Sequence, residues 1–297
     1  MKIIFKILFF IACINCSYAQ KKVTHTITKS YIPLKEYQKR NKEPLSKQDS
    51  LNLIEKDGIL LILMKENIAF NKKGTSVPYT YKDDSFLAKY TKISFFHKNN
   101  IYNDSTTSKY WKKPIKLFFG KNIPNKTKKS FLHFAKNIVN QVDSLQLYVV
   151  KKVEDSNYII YYSSNYEYES RMSNNTYSDS YIHWKNTGSQ IYKGAIRIRD
   201  DKLFNETLRL HKMKTLFVQT LGYFTFDNQL DCENFFSGCH QDPVNLTKFD
   251  IEIIKYHYDY GICKGTDLST FIEQHKDAKK LLQKNPNNKM TFFHTFE

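Results

Sequence analysis

The stretch that decides how the chain is read runs from Asn205 through Glu206, His211, Thr215, Leu216 and Gln219 to Leu221-Gly222. Asn205 offers a side-chain oxygen to the unpaired N–H groups of a helix start, and glycine is the residue type that ends one. The spacing therefore predicts a helix from Glu206 to Leu221, closed by Gly222. Residues four apart share a face, so His211, Thr215 and Gln219 fall on one stripe.

Working outward, the preceding residues alternate in the manner of strands. Trp111-Lys-Lys-Pro114 introduces Ile115, Leu117 and Phe119, with Lys116 and Phe118 between them. Thr127 to Asn140 carries Phe131, Phe134, Ala135, Ile138 and Val139 at helical spacing. Leu145–Val150 and Tyr158–Tyr162 are rich in strand-forming Val, Ile and Tyr. A polar loop is expected around Ser170–Ser180, followed by a half-exposed strand Gly194–Arg199 in which Ile196 and Ile198 alternate with Arg197 and Arg199. Downstream, Thr247 and Asp250 have capping-box spacing for a helix that puts Ile253, Ile254, His257 and Tyr258 on one face and stops at Gly261. A last helix is expected from about Asp267 to Gln283.

In this order of strand, helix, three strands, helix, loop and helix, three pieces stand out: Trp111-x-x-Pro114-Ile115, Gln219-Thr-Leu-Gly222, and Leu246-Thr-x-x-Asp250 leading to Tyr258-x-x-Gly261. Together they resemble the zincin metallopeptidases of matrixin type, and more closely still secreted bacterial proteins of unknown function with a degenerate HExxH helix. The resemblance covers about half the chain. It implies an α+β fold: a zincin-like mixed sheet, an active-site-type helix and C-terminal helices, after a smaller N-terminal region. It also implies an extended peptide partner lying along the sheet's edge strand above the active-site helix. Gly194–Arg199 is the strand expected there, which makes Arg197 and Arg199 the candidate binding residues.

A zincin helix works through two histidines four apart that bind zinc and a glutamate that activates the bound water. Aligned on Leu221-Gly222, those positions hold Thr215, Leu216 and Gln219, and the third ligand falls on Thr225. Leucine is no base, and threonine and glutamine do not hold zinc without stronger ligands. The expectation is a pseudoenzyme with no catalytic residue, no cofactor and a binding or scaffold role. The alternatives are a zinc-dependent hydrolase whose ligands have moved to His211, Asp227 and His240, and a basic module that binds envelope polyanions. Other chemistries find no support, since GxSxG, Walker and dinucleotide motifs are absent and the chain has only 9 glycines.

The chain has 297 residues, 41% hydrophobic and 15% aromatic, which excludes disorder, and carries a formal +17 from 46 basic and 29 acidic residues. Five of the basic residues are arginine (Arg40, Arg171, Arg197, Arg199 and Arg209) and 41 are lysine, spread over nearly every segment. Phosphate and base recognition favours the planar guanidinium, so no nucleic-acid partner is expected, and the partner is an unspecified protein or envelope component. Met1–Ala19 has Lys2, Lys6, an apolar run and Ser17-Tyr18-Ala19, the pattern of a cleaved export signal. A periplasmic or extracellular protein with no transmembrane segment after cleavage follows, with lipidation at Cys13 as the alternative. In an oxidising compartment Cys232 and Cys239 are expected to pair across the six residues between them. The expected divisions are signal 1–19, N-terminal region and linker 20–108, degenerate zincin-like domain 109–285, and tail 286–297. Within the N-terminal region Asp49–Lys56 reads as a helix and Ile59–Met64 as a buried strand or helix end.

Overall fold

The computed structural model describes residues 24–26, 31–40, 44–46, 49–50, 53–56, 58–63, 74–96, 103–172, 179–239, 245–259, 264–284 and 289–295. The export signal with Cys13, and Gly261, lie outside them. Contacts divide the chain into two compact units, Met1–Tyr79 with Ala278–Glu297, and Thr80–Asp277. Both helices and sheets occur, and the fold class is α+β.

The first unit begins with β1 (Thr24–Thr26), β2 (Tyr31–Pro33), α1 (Leu34–Arg40), β3 (Leu53–Lys56), β4 (Ile59–Leu63) and β5 (Gly74–Pro78). In the second unit follow α2 (Asp84–Phe95), β6 (Tyr110–Trp111), β7 (Ile115–Phe119), α3 (Asn125–Val139), β8 (Leu147–Val149), β9 (Tyr158–Tyr162), β10 (Asp179–Trp184), β11 (Gln190–Ile198), α4 (Glu206–Gly222) and α5 (Lys248–Tyr258). The chain returns to the first unit through α6 (Leu268–Lys284) and ends in β12 (Lys289–Thr295).

In the first unit β12 lies between β1 and β5, and β4 lies between β2 and β3. Two expectations fail here. Asp49–Lys56 is not one helix: Leu53–Lys56 pairs antiparallel with Ile59–Ile62 in a hairpin turned at Gly58, whose φ of 72° suits glycine. Ile59 and Leu60 are exposed and Ile62 is fully buried, so this strand is covered over only part of its length. The 286–297 tail is likewise β12, paired with β1 and β5, with Met290 and Phe292 buried against Tyr79, Ala278 and Leu281.

The second unit is built on a sheet of order β10-β11-β9-β7-β8, with β6 added beside β11. β8, β7, β9 and β11 run parallel, and β10 is an antiparallel edge. A single core joins this sheet to α2, α3, α4 and α5. Ile115 and Leu117 in β7 face that core, as their alternation predicts. The unit opens at Thr80 rather than after the polar stretch 99–108, because α2 sends Phe86, Tyr90, Ile93 and Phe95 into the core. Part of that stretch is tied in as well: Leu268 N–H donates to Thr106 O and Ser108 N–H to Thr266 O, both at 3.0 Å.

Candidate functional site

Helix α4 is fixed at both ends by side chains from other elements. At its start the Asn205 oxygen accepts the Thr207 N–H at 2.7 Å, and the Glu206 carboxylate accepts the hydroxyls of Thr127 and Tyr162, each at 2.8 Å. At its end Trp111 Nε1 donates to Thr220 O at 3.0 Å, Tyr258 OH donates to Leu221 O at 2.6 Å and accepts the Trp111 N–H at 3.2 Å, and Tyr158 OH meets Thr220 Oγ1. The last turn of a helix leaves carbonyls without intrahelical partners, and two of these are met by aromatic donors from β6 and α5. Trp111, the Gln219–Gly222 turn and Tyr258, far apart in sequence, thus meet at one point.

The end of α4 also corrects an expectation. Gly222 is the helix's last residue and the left-handed cap is Tyr223, with φ 54°. Glycine is needed at 222 for space: a Cβ there would lie 2.3 Å from the Phe224 ring. Tyr223 pays the left-handed strain and stacks on Trp184 of β10, ring centroids 5.2 Å apart. Lys109 Nζ lies 5.3 Å above the same Trp184 ring, and burial pushes that amine down to about 8.

Of the positions that the resemblance aligns with a zinc site, Thr215, Leu216 and Gln219 lie in this helix, which packs against β10 and β11, and Thr225 follows it. Leu216, at the position of the base, is 5% exposed and part of the apolar core. Thr215 turns its hydroxyl to its own helix, donating to His211 O at 3.1 Å. Thr225 N–H donates to Ile93 O at 2.9 Å, which anchors the chain after α4 to α2. A leucine packed in the core and two threonines and a glutamine around it do not fit a zinc ion with an activated water.

Of the relocated set, His211 and Asp227 are among the described residues. Asp227 sits in the cysteine loop, where its Oδ1 accepts Gln229 N–H at 3.0 Å and its Oδ2 lies 3.8 Å from Lys92 Nζ. His211 keeps a buried Nδ1 without a hydrogen-bond partner among the described residues. His240 lies outside them. Among the described residues no three His, Cys, Asp or Glu side chains are grouped to hold a metal ion. His257 is a core residue, with Nδ1 3.0 Å from Tyr90 OH and Nε2 2.7 Å from Lys109 O, a carbonyl to which Nε2 must donate. Burial pushes its pKa down to about 4.

Cys232 and Cys239 are joined in a disulfide. Closing so short a loop stabilises by about 2–3 kcal/mol through the unfolded state. The loop is tied to α5 by Asp250, which completes the capping box with Thr247 and accepts Phe235 N–H at 3.0 Å. Burial raises the Asp250 carboxyl above its ordinary value against these hydrogen bonds.

Arg197 and Arg199 are not where strand addition needs them. Strand β11, which holds Arg197 and ends one residue before Arg199, is interior, bonded to β10 on one side and β9 on the other. Arg197 is 7% exposed and donates to Glu167 Oε2 at 2.9 Å, while Arg199 grips Asp201 with Nε and Nη2 at 2.8 and 2.7 Å. The edge is β10, whose first two residues fall in the loop expected around Ser170–Ser180 and whose remainder, Tyr181–Trp184, carried no expectation. Its Tyr181, Ile182, His183 and Trp184 are a short strand-forming cluster with Ile182 on the core side, a signal that the polar residues before it hide. On its other face His183 Nε2 lies 2.8 Å from Glu169 Oε2, and His183 Nδ1 lies 3.0 Å from Arg171 Nη1. Burial works to raise the Glu169 carboxyl, but the His183 bond, the Arg171 N–H and the Lys193 charge outweigh it and hold it below its ordinary value.

No helix among the described residues is long and apolar enough to cross a membrane. No protein-family model matches the chain, and no curated protein matches it significantly.

Proposed function

We propose that this is an exported, zincin-like protein that has given up zinc catalysis and binds an extended peptide along the free edge of β10. The carrying observation is Leu216: the position that resembles the catalytic glutamate is a core residue on a helix whose frame is otherwise complete. The resemblance is supported further by the antiparallel edge strand packed against that helix, and by the meeting of Trp111, Thr220, Leu221 and Tyr258. An edge strand offers unpaired N–H and C=O groups, which is how a sheet takes up an extended chain.

The test is peptide-library binding with hydrogen exchange read along β10. The expected result is slowed exchange of β10 amides on binding, unchanged by a chelator and without cleavage. Chelator-sensitive cleavage with one zinc per chain, lost on His211→Ala, would establish the relocated hydrolase instead.

A further inference from the structure

The parallel strands β9 and β11 end side by side, and their exits are stitched together. Ser163 N–H donates to Ile198 O at 2.8 Å, Ser163 Oγ to Asp200 at 2.8 Å and Ser164 N–H to Asp200 at 3.0 Å. Arg209 clamps the second exit by donating to Leu203 O and, at 2.9 Å, to Asp200 O. Between the two exits lies a cavity of about 300 Å³ lined by Ser163, Ser164, Arg197, Arg199 and Asp201. Ligands of parallel sheets bind outside the carboxyl ends of adjacent strands, which is where this cavity sits.

Among the described residues, the same two exits carry the most exposed aromatic rings of the second unit. Tyr166 is 78% exposed and Phe204 83%, with Leu208 following Phe204 at helical spacing and 44% exposed. Holding rings in water on a loop fixed by this many hydrogen bonds removes the ordering cost of using them in binding. The charges around them are one-sided in availability. Asp201 is engaged by Arg199, Glu167 by Arg197 and Tyr161, and Asp200 by the two serines. Lys121, Lys126 and Lys202, exposed at the same carboxyl ends, form no ion pair among the described residues.

From this we infer that the β9–β11 end is a docking surface for an anionic phospholipid membrane, with the headgroup phosphate in the Arg197/Arg199/Ser163/Ser164 cavity and Tyr166 and Phe204 in the interfacial layer. Aromatic rings favour that layer and lysines are drawn to anionic lipid, while the guanidiniums that hold Glu167 and Asp201 and the hydroxyls that donate to Asp200 would exchange those carboxylates for the headgroup phosphate. A closed apolar groove of the kind that receives a protein side chain is not what the exits enclose, since the cavity lining is charged and hydroxylic. Asp201 competes with the headgroup for Arg199. The surface is separate from the β10 edge and does not depend on peptide binding there.

Co-sedimentation of the mature chain with vesicles tests this. Binding is expected to phosphatidylcholine vesicles containing phosphatidylglycerol and not to pure phosphatidylcholine, and to fall in high salt. The double variant Phe204→Ser/Tyr166→Ser should bind at least several-fold more weakly, and Asp201→Asn, which removes the negative charge that Arg199 grips, several-fold more tightly. Tyr192→Ser, which removes an exposed ring elsewhere on β11, should bind like the native chain. The inference is overturned by absence of binding to the anionic vesicles, by native-like binding of the double variant, or by weaker binding of Asp201→Asn. It is overturned equally by a thermal shift with inorganic phosphate in a chain that ignores vesicles, which would mark a free-phosphate site.

Discussion

The C-terminal turn of α4 and the middle of the same helix, one turn apart, have been treated in opposite ways. At the turn Trp111, Tyr158 and Tyr258 are buried, and their polar atoms meet the helix at Thr220 and Leu221. In the middle Thr215 bonds to its own helix and Leu216 has joined the core. The frame is constrained by folding, because each buried donor lost there strands a carbonyl. The mid-helix positions are constrained by folding only as far as they are apolar, so residues that fill space can stand where residues that do chemistry would.

The contrast breaks most visibly at Trp111. Trp111→Ala removes a fully buried ring and its bond to Thr220 O, and should cost about 3–5 kcal/mol in denaturant unfolding. A cost near zero would mean that the turn is not a frame. A smaller effect comes from pH, through His257 beside it. Its folded pKa of about 4 lies below the unfolded value of 6.5, so the unfolded chain binds more protons between those values. The stability it contributes is complete above about pH 6.5 and lost as pH falls toward 4, about 2 kcal/mol between pH 7 and 5. Unfolding midpoints of the native chain and His257→Gln across that window should differ in slope, the variant being flatter; parallel slopes would remove His257 from the frame. The smallest effect is expected from the stripe: Thr215→Ala with Gln219→Ala should change stability by no more than about 0.5 kcal/mol. A cost comparable to Trp111→Ala would erase the difference between the two regions.

Much of the second unit was legible in the sequence. Ile115/Leu117/Phe119 alternate because one face of β7 is core, and Phe131, Phe134, Ala135 and Ile138 recur at helical spacing because α3 buries one stripe. The Thr247–Asp250 box was readable because a cap is local. What was not legible had its cause elsewhere in the chain. Leu53–Lys56 is a strand because β4 pairs with it, and β12 is a strand because β1 and β5 enclose it. Strand β10, and with it the position of the sheet's edge, follows from which strand lies beside β11, a choice that period-two alternation in either strand leaves open.

The same division holds for the site. The residue identities at 215, 216, 219 and 225 fix by themselves which donor groups those positions offer, since donor chemistry is a property of the side chain. The pairing of Cys232 with Cys239 was legible too, as two cysteines close in sequence meet at little entropic cost. Only the tertiary structure decided that Arg197 belongs to an interior strand and Arg199 to its exit, that Asp227 faces Lys92, and that His257 is a core residue. Burial and partnership are set by other segments, for Asp227 and His257 more than a hundred residues away, and no local pattern carries that information.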